Sequence, residues 1–167
     1  DKGMGEESAL AILAAHSRDN SRTPVQWDGS ENAGFTAGKP WIQVNPNYKR
    51  INAREQAEDP DSIFSYYRAL IRLRKEQPVI AQGDFAPLDR EHQSVLAYRR
   101  SWKGDTLYCI SNFYRKPCTW TCPEDLSGCR VLLSNYPDPE VGRTLALRPY
   151  ESVILLRSRA AERSTSS

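Results

Sequence analysis

Apolar residues recur at helical spacing in two segments of the chain. Residues 6–16 are rich in helix formers and place alanine and leucine side chains on one face, which predicts a short helix. The segment 59–77 predicts a longer helix. Asp59 can cap it and Pro60 suits its first turn. Pro78 is expected to end it. The apolar positions of this second helix are Ile63, Phe64, Tyr67, Leu70 and Ile71.

Residues 17–58, between the two predicted helices, show little hydrophobic periodicity. They contain glycines, prolines and many polar side chains, which are typical of loops. An irregular segment of about forty residues is unusual in a small independent domain, because it has no core of its own to hold it. We therefore expect this segment to lie across the surface of a larger fold.

From residue 83 onward the hydrophobic period changes to two, which is typical of β-strands. The runs are short and are separated by turn-forming residues such as Gly104 and Pro123. The predicted strands are 83–89, 93–101, 105–113, 117–121, 129–135, 143–148 and 151–158. So many short strands predict an antiparallel β-sandwich. The polar tail 159–167 is predicted to be disordered.

Composition and charge narrow the classes of function. The 167 residues include 23 Lys and Arg and 21 Asp and Glu, which gives a formal net charge of +2. Basic and acidic residues are interspersed, so no phosphate-binding stripe is formed and nucleic acid is not expected as a partner. The chain has no apolar run long enough to span a membrane. We expect a cytoplasmic protein that uses no membrane partner and no cofactor.

The four cysteines, Cys109, Cys118, Cys122 and Cys129, do not indicate a metal site. Their spacings do not repeat, and neither His16 nor His92 lies near them in the sequence. Cys109 lies in an apolar run and is expected to be a small core residue. The other three are expected to be free thiols, although a bridge between the last two cysteines is also compatible with the sequence.

The loop 17–28 concentrates the chemistry of the chain. It holds two arginines, Arg18 and Arg22, together with carboxylate, amide and indole groups, and Pro24 stiffens it. Planar polar groups can bind sugar hydroxyls, and an aromatic ring can stack on a sugar face. The alternative is that the arginines and Asp19 form a salt-bridged loop anchor that binds no ligand.

This loop reads RDNSRTPVQW from Arg18 to Trp27 and resembles a segment of the α-glucosidases of glycoside hydrolase family 13, the group of oligo-1,6-glucosidases, dextran glucosidases and trehalose-6-phosphate hydrolases. Val25 stands where methionine is common. Further resemblances follow in the same order: NAGFT at 32–36, PWI at 40–42, VNPNY at 44–48, IN at 51–52, DSIF at 61–64, LIRLR at 70–74 and LRPYE at 147–151.

The resemblance implies a mostly β fold with helices, in which the last loop and helix of a (β/α)8 barrel precede a C-terminal antiparallel β-sandwich. Residues 1–80 would be the end of the catalytic barrel and residues 81–158 the sandwich. The intact enzyme would hydrolyse terminal α-1,6-glucosidic bonds in short oligosaccharides with retention. A trehalose-6-phosphate hydrolase of the same family is the alternative.

The resemblance also assigns roles within the loop. In the family an arginine of this motif pairs with an upstream Asp and contacts hydroxyls of the terminal sugar. Arg22 is the first candidate for this role and Arg18 the second, while Asp19 and Asn20 would support the loop. The catalytic carboxylates belong to upstream motifs that are absent here, and Asp28, Glu31 and Asp59 have the character of solvated loop acids. No residue of this chain is therefore expected to be catalytic, and its partners would be an α-linked gluco-oligosaccharide and the remainder of the barrel.

Two other classes of function remain open from the sequence. The sandwich could carry a carbohydrate-binding platform built from Trp102, expected in a turn, or Trp120, expected on one strand face. It could instead only stabilise or oligomerise the parent protein. The basic pair Arg99 and Arg100, with Lys103, is expected to form a solvated strand face.

Overall fold

A computed structural model describes residues 5–158. They fall into two compact units, the first ending at Tyr66 and the second beginning at Tyr67. The predicted disorder of residues 159–167 lies outside the described residues.

The first unit consists of short helices joined by irregular segments. Helix α1 spans Glu6–His16, as predicted, and buries none of its residues. Three 3-10 turns follow at Arg18–Ser21, Glu31–Gly34 and Pro46–Lys49. Helix α2, which the sequence pattern did not predict, spans Ala53–Glu58.

Helix α3 spans Ile63–Glu76 and begins later than predicted. Its cap is Ser62, whose hydroxyl oxygen accepts the Ser65 amide at 3.1 Å, so the prediction that Asp59 caps the helix was wrong. The Asp59 carboxylate accepts the amide of Asp61 at 2.9 Å instead, in a turn that precedes the helix. Pro78 ends α3 as predicted, but it also begins a further short helix, α4, which spans Pro78–Gln82.

The second unit contains the seven strands that the period of two predicted. They are β1 Asp84–Asp89, β2 Val95–Trp102, β3 Asp105–Asn112, β4 Cys118–Thr121, β5 Arg130–Ser134, β6 Thr144–Leu147 and β7 Ser152–Arg157. Five strands form one antiparallel sheet in the order β1-β2-β3-β7-β5, and β4 pairs with β6 in a second sheet. The predicted sandwich is confirmed.

The hairpin between β2 and β3 fixes the register at the centre of the larger sheet. Trp102 pairs with Asp105 across a two-residue turn. Lys103 and Gly104 both take positive φ values, of 51° and 92°, as a turn that follows the twist of two strands requires. Trp102 is thus the last strand residue and is half-buried, so the expectation that it lies in a turn was wrong.

The main core lies between the two sheets. The large residues of the smaller sheet, above all Trp120 at 2% exposure, pack with the inner faces of β2, β3 and β7. The core residues are Val95, Ala97, Tyr108, Ile110, Trp120, Cys122, Leu126, Cys129, Leu145, Leu147, Val153 and Leu155. A carbohydrate platform built on Trp120 is excluded by this burial.

A smaller apolar cluster covers part of the opposite, outer face of the five-stranded sheet. Val79 of α4 packs there with Leu107 and Leu156, and Trp102 joins them at the edge. The close approach of α4 depends on Gly83, since a Cβ at this position would lie 2.5 Å from the Val79 carbonyl oxygen and 3.2 Å from the Ser101 amide nitrogen.

An ion pair between the partly exposed Arg148 and the buried Glu151 ties the last turn to the end of the sheet. Glu151 is 2% exposed and accepts two bonds from the Arg148 guanidinium, the shorter at 2.6 Å. Asn112, equally buried, donates to the carbonyl oxygens of Lys116 and Arg148. These bonds satisfy polar groups that would otherwise be unpaired where three chain segments meet.

The cysteines are unpaired in the structure. Cys122 and Cys129 are buried members of the main core, whereas Cys109 is half-buried on the outer sheet face. Burial raises the pKa of all three of these thiols. The expectation of free thiols is met by this arrangement, which includes no bridge between Cys122 and Cys129.

We predict that Gly83→Ala destabilises the second unit by about 1–3 kcal/mol, because the added methyl group meets backbone atoms that cannot rotate away. Urea unfolding monitored by tryptophan fluorescence measures the change. Gly128→Ala is the matched control, since a Cβ at Gly128 meets no atom within 4 Å. Equal midpoints for the two variants would contradict the assigned packing of α4.

Candidate functional site

The loop 17–28 begins with a capped 3-10 turn that presents two arginines. The Ser17 hydroxyl oxygen accepts the Asp19 amide at 3.2 Å, and the Ser21 hydroxyl donates to the Arg18 carbonyl oxygen at 2.9 Å. The Arg22 amide closes the turn on the Asp19 carbonyl oxygen at 3.1 Å. Arg18 and Arg22 thus emerge from opposite ends of one short, hydrogen-bonded turn.

The contact between Arg22 and Asp19 is loose. The nearest guanidinium nitrogen lies 3.9 Å from the carboxylate, and the two side chains are 54% and 60% exposed. An exposed pair at this distance contributes little to stability. The structure places Arg22 near Asp19, but it does not lock the guanidinium in a salt-bridged anchor.

The following residues are anchored firmly. Pro24 is buried, and the Gln26 side-chain amide donates to the Asn47 side-chain oxygen at 3.0 Å and to the Ile51 carbonyl oxygen. The Gln26 carbonyl oxygen accepts the amide of Ala53 at 2.8 Å. The exposed turn at residues 18–21 is therefore followed by a segment whose backbone and side chains are held by hydrogen bonds.

The sequence suggested that Asp28 is a solvated loop acid, and this expectation was wrong. Its carboxylate is half-buried and pairs with the Arg54 guanidinium at 2.9 Å. It also accepts the Ser30 amide at 2.9 Å and the Ser30 hydroxyl. The hydrogen bonds from Ser30, followed by the charge of Arg54, lower the pKa of Asp28 and keep it ionised.

A strained turn lies beside this carboxylate. Asn32, Ala33 and Gly34 all have positive φ, with values of 50°, 58° and 66°. Ala33 is fully buried, and its carbonyl oxygen accepts the amides of both Trp27 and Asp28. A Cβ at Gly34 would come within 2.8 Å of the Asp28 carboxylate. Backbone in this region persists only where its surroundings impose it, and such sites are often functional.

Aromatic side chains in the same unit are exposed. Trp41 is 88% exposed, Trp27 55% and Phe35 48%. Trp27 follows directly from the arginine turn, so an indole face lies close to it in sequence and on the same loop. Exposed aromatic rings are suited to sugar faces, as guanidinium groups are to sugar hydroxyls.

The remaining predicted site residues are placed as follows. Arg18 is exposed on the turn, as a binding residue must be. The side chain of Asn20 lies outside the part of the chain that the structure describes, and its supporting role stays a prediction. The Asp28–Arg54 pair was missed, although the Asp-Gly-Ser sequence at 28–30 is a signal for a carboxylate that folds back on its own turn.

Residues 5–158 contain no group of three or more His, Cys, Asp or Glu side chains that could hold a metal ion. The same described residues include no helix long and apolar enough to cross a membrane.

Two known protein domains match consecutive parts of the chain. A model of the α-amylase catalytic domain matches residues 1–83, and a model of the maltogenic amylase C-terminal domain matches residues 85–154. The chain belongs to the α-amylase family, glycoside hydrolase family 13. The order of the two matches fits the end of a barrel followed by a β-sandwich.

Individual relatives agree with this assignment. The chain is 42% identical to an oligo-1,6-glucosidase of Halalkalibacterium halodurans over 93% of its length, and 41% identical to a trehalose-6-phosphate hydrolase of Bacillus subtilis over 92%. A crystal structure of the Bacillus licheniformis trehalose-6-phosphate hydrolase superposes with a TM-score of 0.88 at 46% identity and covers 94% of this chain. The chain spans 28% of the length of both curated relatives and 29% of that crystallised chain.

We predict that Asn52 is the main cap of this unit. It is 4% exposed, accepts the Glu55 amide at 3.0 Å and donates to the Tyr48 carbonyl oxygen at 2.9 Å. Asn52→Ala should cost about 1–2 kcal/mol and speed hydrogen exchange of the Glu55 amide. The control is Asn45→Ala, since exposed Asn45 caps its turn with a longer bond of 3.4 Å. Similar exchange rates in both variants would contradict this assignment.

Proposed function

We propose that this chain is the C-terminal part of a retaining α-glucosidase that hydrolyses terminal α-1,6-glucosidic bonds in short oligosaccharides. The observation that carries the proposal is the tandem match to a family catalytic domain and a family C-terminal domain, with an exposed two-arginine turn in the first. Residues 1–80 then form the end of the barrel and residues 81–158 the sandwich. Its thiols suit a reducing cytoplasm.

Within this proposal Arg22 binds the terminal glucose, and Arg18 is the second candidate. The loose 3.9 Å contact with Asp19 supports this role, because a guanidinium that is not committed to a short pair can donate two hydrogen bonds to a carboxylate and still donate to sugar hydroxyls. The hydrogen-bonded segment at Gln26 supports it further, since a binding group must be held in place to favour one sugar orientation. Asp19 and Asn20 support the loop.

The remainder of the barrel is the proposed protein partner. One side of α3 exposes large apolar residues, with Ile63 at 73%, Tyr67 at 62% and Ile71 at 56%. Their spacing places them along one helix face. Burying each such side chain stabilises a fold by about 1.5–3 kcal/mol, so this face favours a covering partner.

A trehalose-6-phosphate hydrolase is the second candidate, because relatives of both names match at nearly equal identity. Isomaltose and trehalose 6-phosphate, offered separately to the full-length polypeptide, discriminate between the two. Turnover of the phosphorylated disaccharide alone would replace the first proposal with the second. The proposal from another class is that the sandwich, residues 81–158, is a non-catalytic carbohydrate-binding or barrel-stabilising module.

We predict that Arg22→Ala in the full-length polypeptide lowers kcat/KM for p-nitrophenyl α-glucoside about 100-fold, which corresponds to the loss of about 3 kcal/mol of binding to the sugar. Arg18→Ala is measured alongside to decide between the two arginines. Arg90→Ala, an exposed arginine between β1 and β2, is the control and should retain full activity. If both loop variants hydrolyse normally, the binding role is wrong.

We also predict that the 167-residue chain alone does not hydrolyse p-nitrophenyl α-glucoside. A retaining mechanism needs two carboxyl groups about 5 Å apart, and the family motifs that carry them are absent from this sequence. The release of p-nitrophenol at high protein concentration tests this directly. Turnover that survives repeated purification would show that the catalytic acids lie here.

A further inference from the structure

The segment 26–28, which follows the arginine turn at residues 18–22, has backbone hydrogen bonds on both of its sides. On one side two of its amides donate to the Ala33 carbonyl oxygen, at 2.9 Å and 3.2 Å. On the other side two of its carbonyl oxygens accept the amides of Ala53 and Arg54, at 2.8 Å and 3.0 Å. The position of this segment is therefore set by two parts of the chain that are distant from it in the sequence.

Arg54 and Asp28 join these two parts through their side chains. The Arg54 amide bonds to the segment, and its guanidinium Nη2 donates to the Asp28 carboxylate at 2.9 Å. The same carboxylate accepts the amide and the hydroxyl of Ser30. It fills the space that a Cβ at Gly34 would need, since that atom would lie 2.8 Å from it. The ion pair thus connects the turn at 30–34 with the start of α2.

A short and stiff stretch of chain connects this segment to Arg22. Only residues 23–25 lie between Arg22 and Gln26, and Pro24 among them is buried and has a fixed φ angle. Proline also restricts the backbone of the residue before it. A shift of the segment 26–28 is therefore passed on to the backbone of Arg22 with little loss.

We propose that Asp28 and Arg54 are positioning residues that hold Arg22 in place for the terminal glucose. This inference rests on the proposed sugar-binding role of Arg22. The ion pair acts through the segment 26–28, which it keeps seated between the turn at 30–34 and α2. In the proposed function Arg22 binds hydroxyls that do not react, so its contacts are equally strong in the ground state and in the transition state. Loss of such uniform binding raises KM and leaves kcat unchanged.

This kinetic signature separates positioning from a contribution to stability alone. The Arg54 side chain is 66% exposed, and exposed ion pairs contribute little to stability. If the pair served only the fold, its removal would lower the fraction of active enzyme. The apparent kcat would then fall, whereas the KM of the molecules that remain folded would stay the same.

The first test measures the hydrolysis of p-nitrophenyl α-glucoside by variants of the full-length polypeptide. Arg54→Gln should raise KM about fivefold and leave kcat within about twofold of the wild-type value. Arg54→Lys keeps a cation within reach of Asp28 and should restore KM to within about twofold of wild type. The matched control is Arg72→Gln, which removes an exposed arginine from a surface ion pair with Glu76 and should leave both constants unchanged. An unchanged KM in Arg54→Gln, with or without a lower kcat, would overturn the proposal.

The second test asks whether Arg54 acts through Arg22. In a double-mutant cycle, Arg54→Gln should lower kcat/KM about fivefold in the wild-type background but less than about twofold in the Arg22→Ala background. Equal effects in the two backgrounds would overturn the assigned route. A normal kcat/KM in Arg22→Ala alone would instead refute the binding role in the proposed function, and this inference with it. The failure of the inference alone is thus distinguished from the failure of the function on which it rests.

Discussion

The second unit depends on the packing of Trp120 between its two sheets. The smaller sheet has two short strands, and an isolated pair of strands is marginal in water. It persists because Trp120, Leu145 and Leu147 fill the core opposite β2, β3 and β7. The indole nitrogen also donates to the Asp89 carboxylate at 3.2 Å, which satisfies the polar end of a buried ring and ties β4 to the end of β1. That bond is the largest cause of the lowered pKa of Asp89, so the carboxylate stays ionised at the end of β1.

The sequence predicted this unit well because strand burial appears directly as a period of two. The predicted ends of all seven strands lie within two residues of the observed ends. The change from helical periodicity to strand periodicity near residue 83 was also clear. The helix boundaries were harder, since Asp59 and Ser62 are both good caps and local propensity does not decide between them. The structure selects Ser62, whose hydroxyl also reaches the Gln56 and Asp59 carbonyl oxygens. Helix α4 was missed because Pro78 serves both as the end of one helix and as the first residue of the next.

The candidate site was predictable in part. Its residue types and their spacing identified the arginine turn, but the supports of that turn come from distant parts of the sequence. Asp28 and Arg54 are 26 positions apart in the sequence, and Gln26 and Asn47 are 21 positions apart. No local sequence pattern predicts pairs at such separations. The left-handed conformation of Ala33 was not predictable either, because alanine disfavours positive φ and adopts it here only under the constraint of a fully buried position.

Arg99 and Arg100 are neighbours in β2, but their side chains lie on opposite faces of the sheet and have different hydrogen-bond partners. Arg99 points to the inner side, where its guanidinium meets Glu124 at 2.5 Å, and Glu124 in turn accepts the Tyr108 hydroxyl at 2.6 Å. Every charge in that group has a partner. Burial alone would raise the pKa of Glu124, but the hydrogen bond from Tyr108 and the charges of Arg99 and Arg157 together lower it. Arg100, one residue on, lies on the outer side, where its Nη2 donates to the Gly83 carbonyl oxygen and its buried Nε has no hydrogen-bond partner among residues 5–158. Because successive side chains of a strand point to opposite faces of the sheet, these two adjacent arginines have different surroundings, and an unpaired buried donor such as the Arg100 Nε costs about 1–3 kcal/mol.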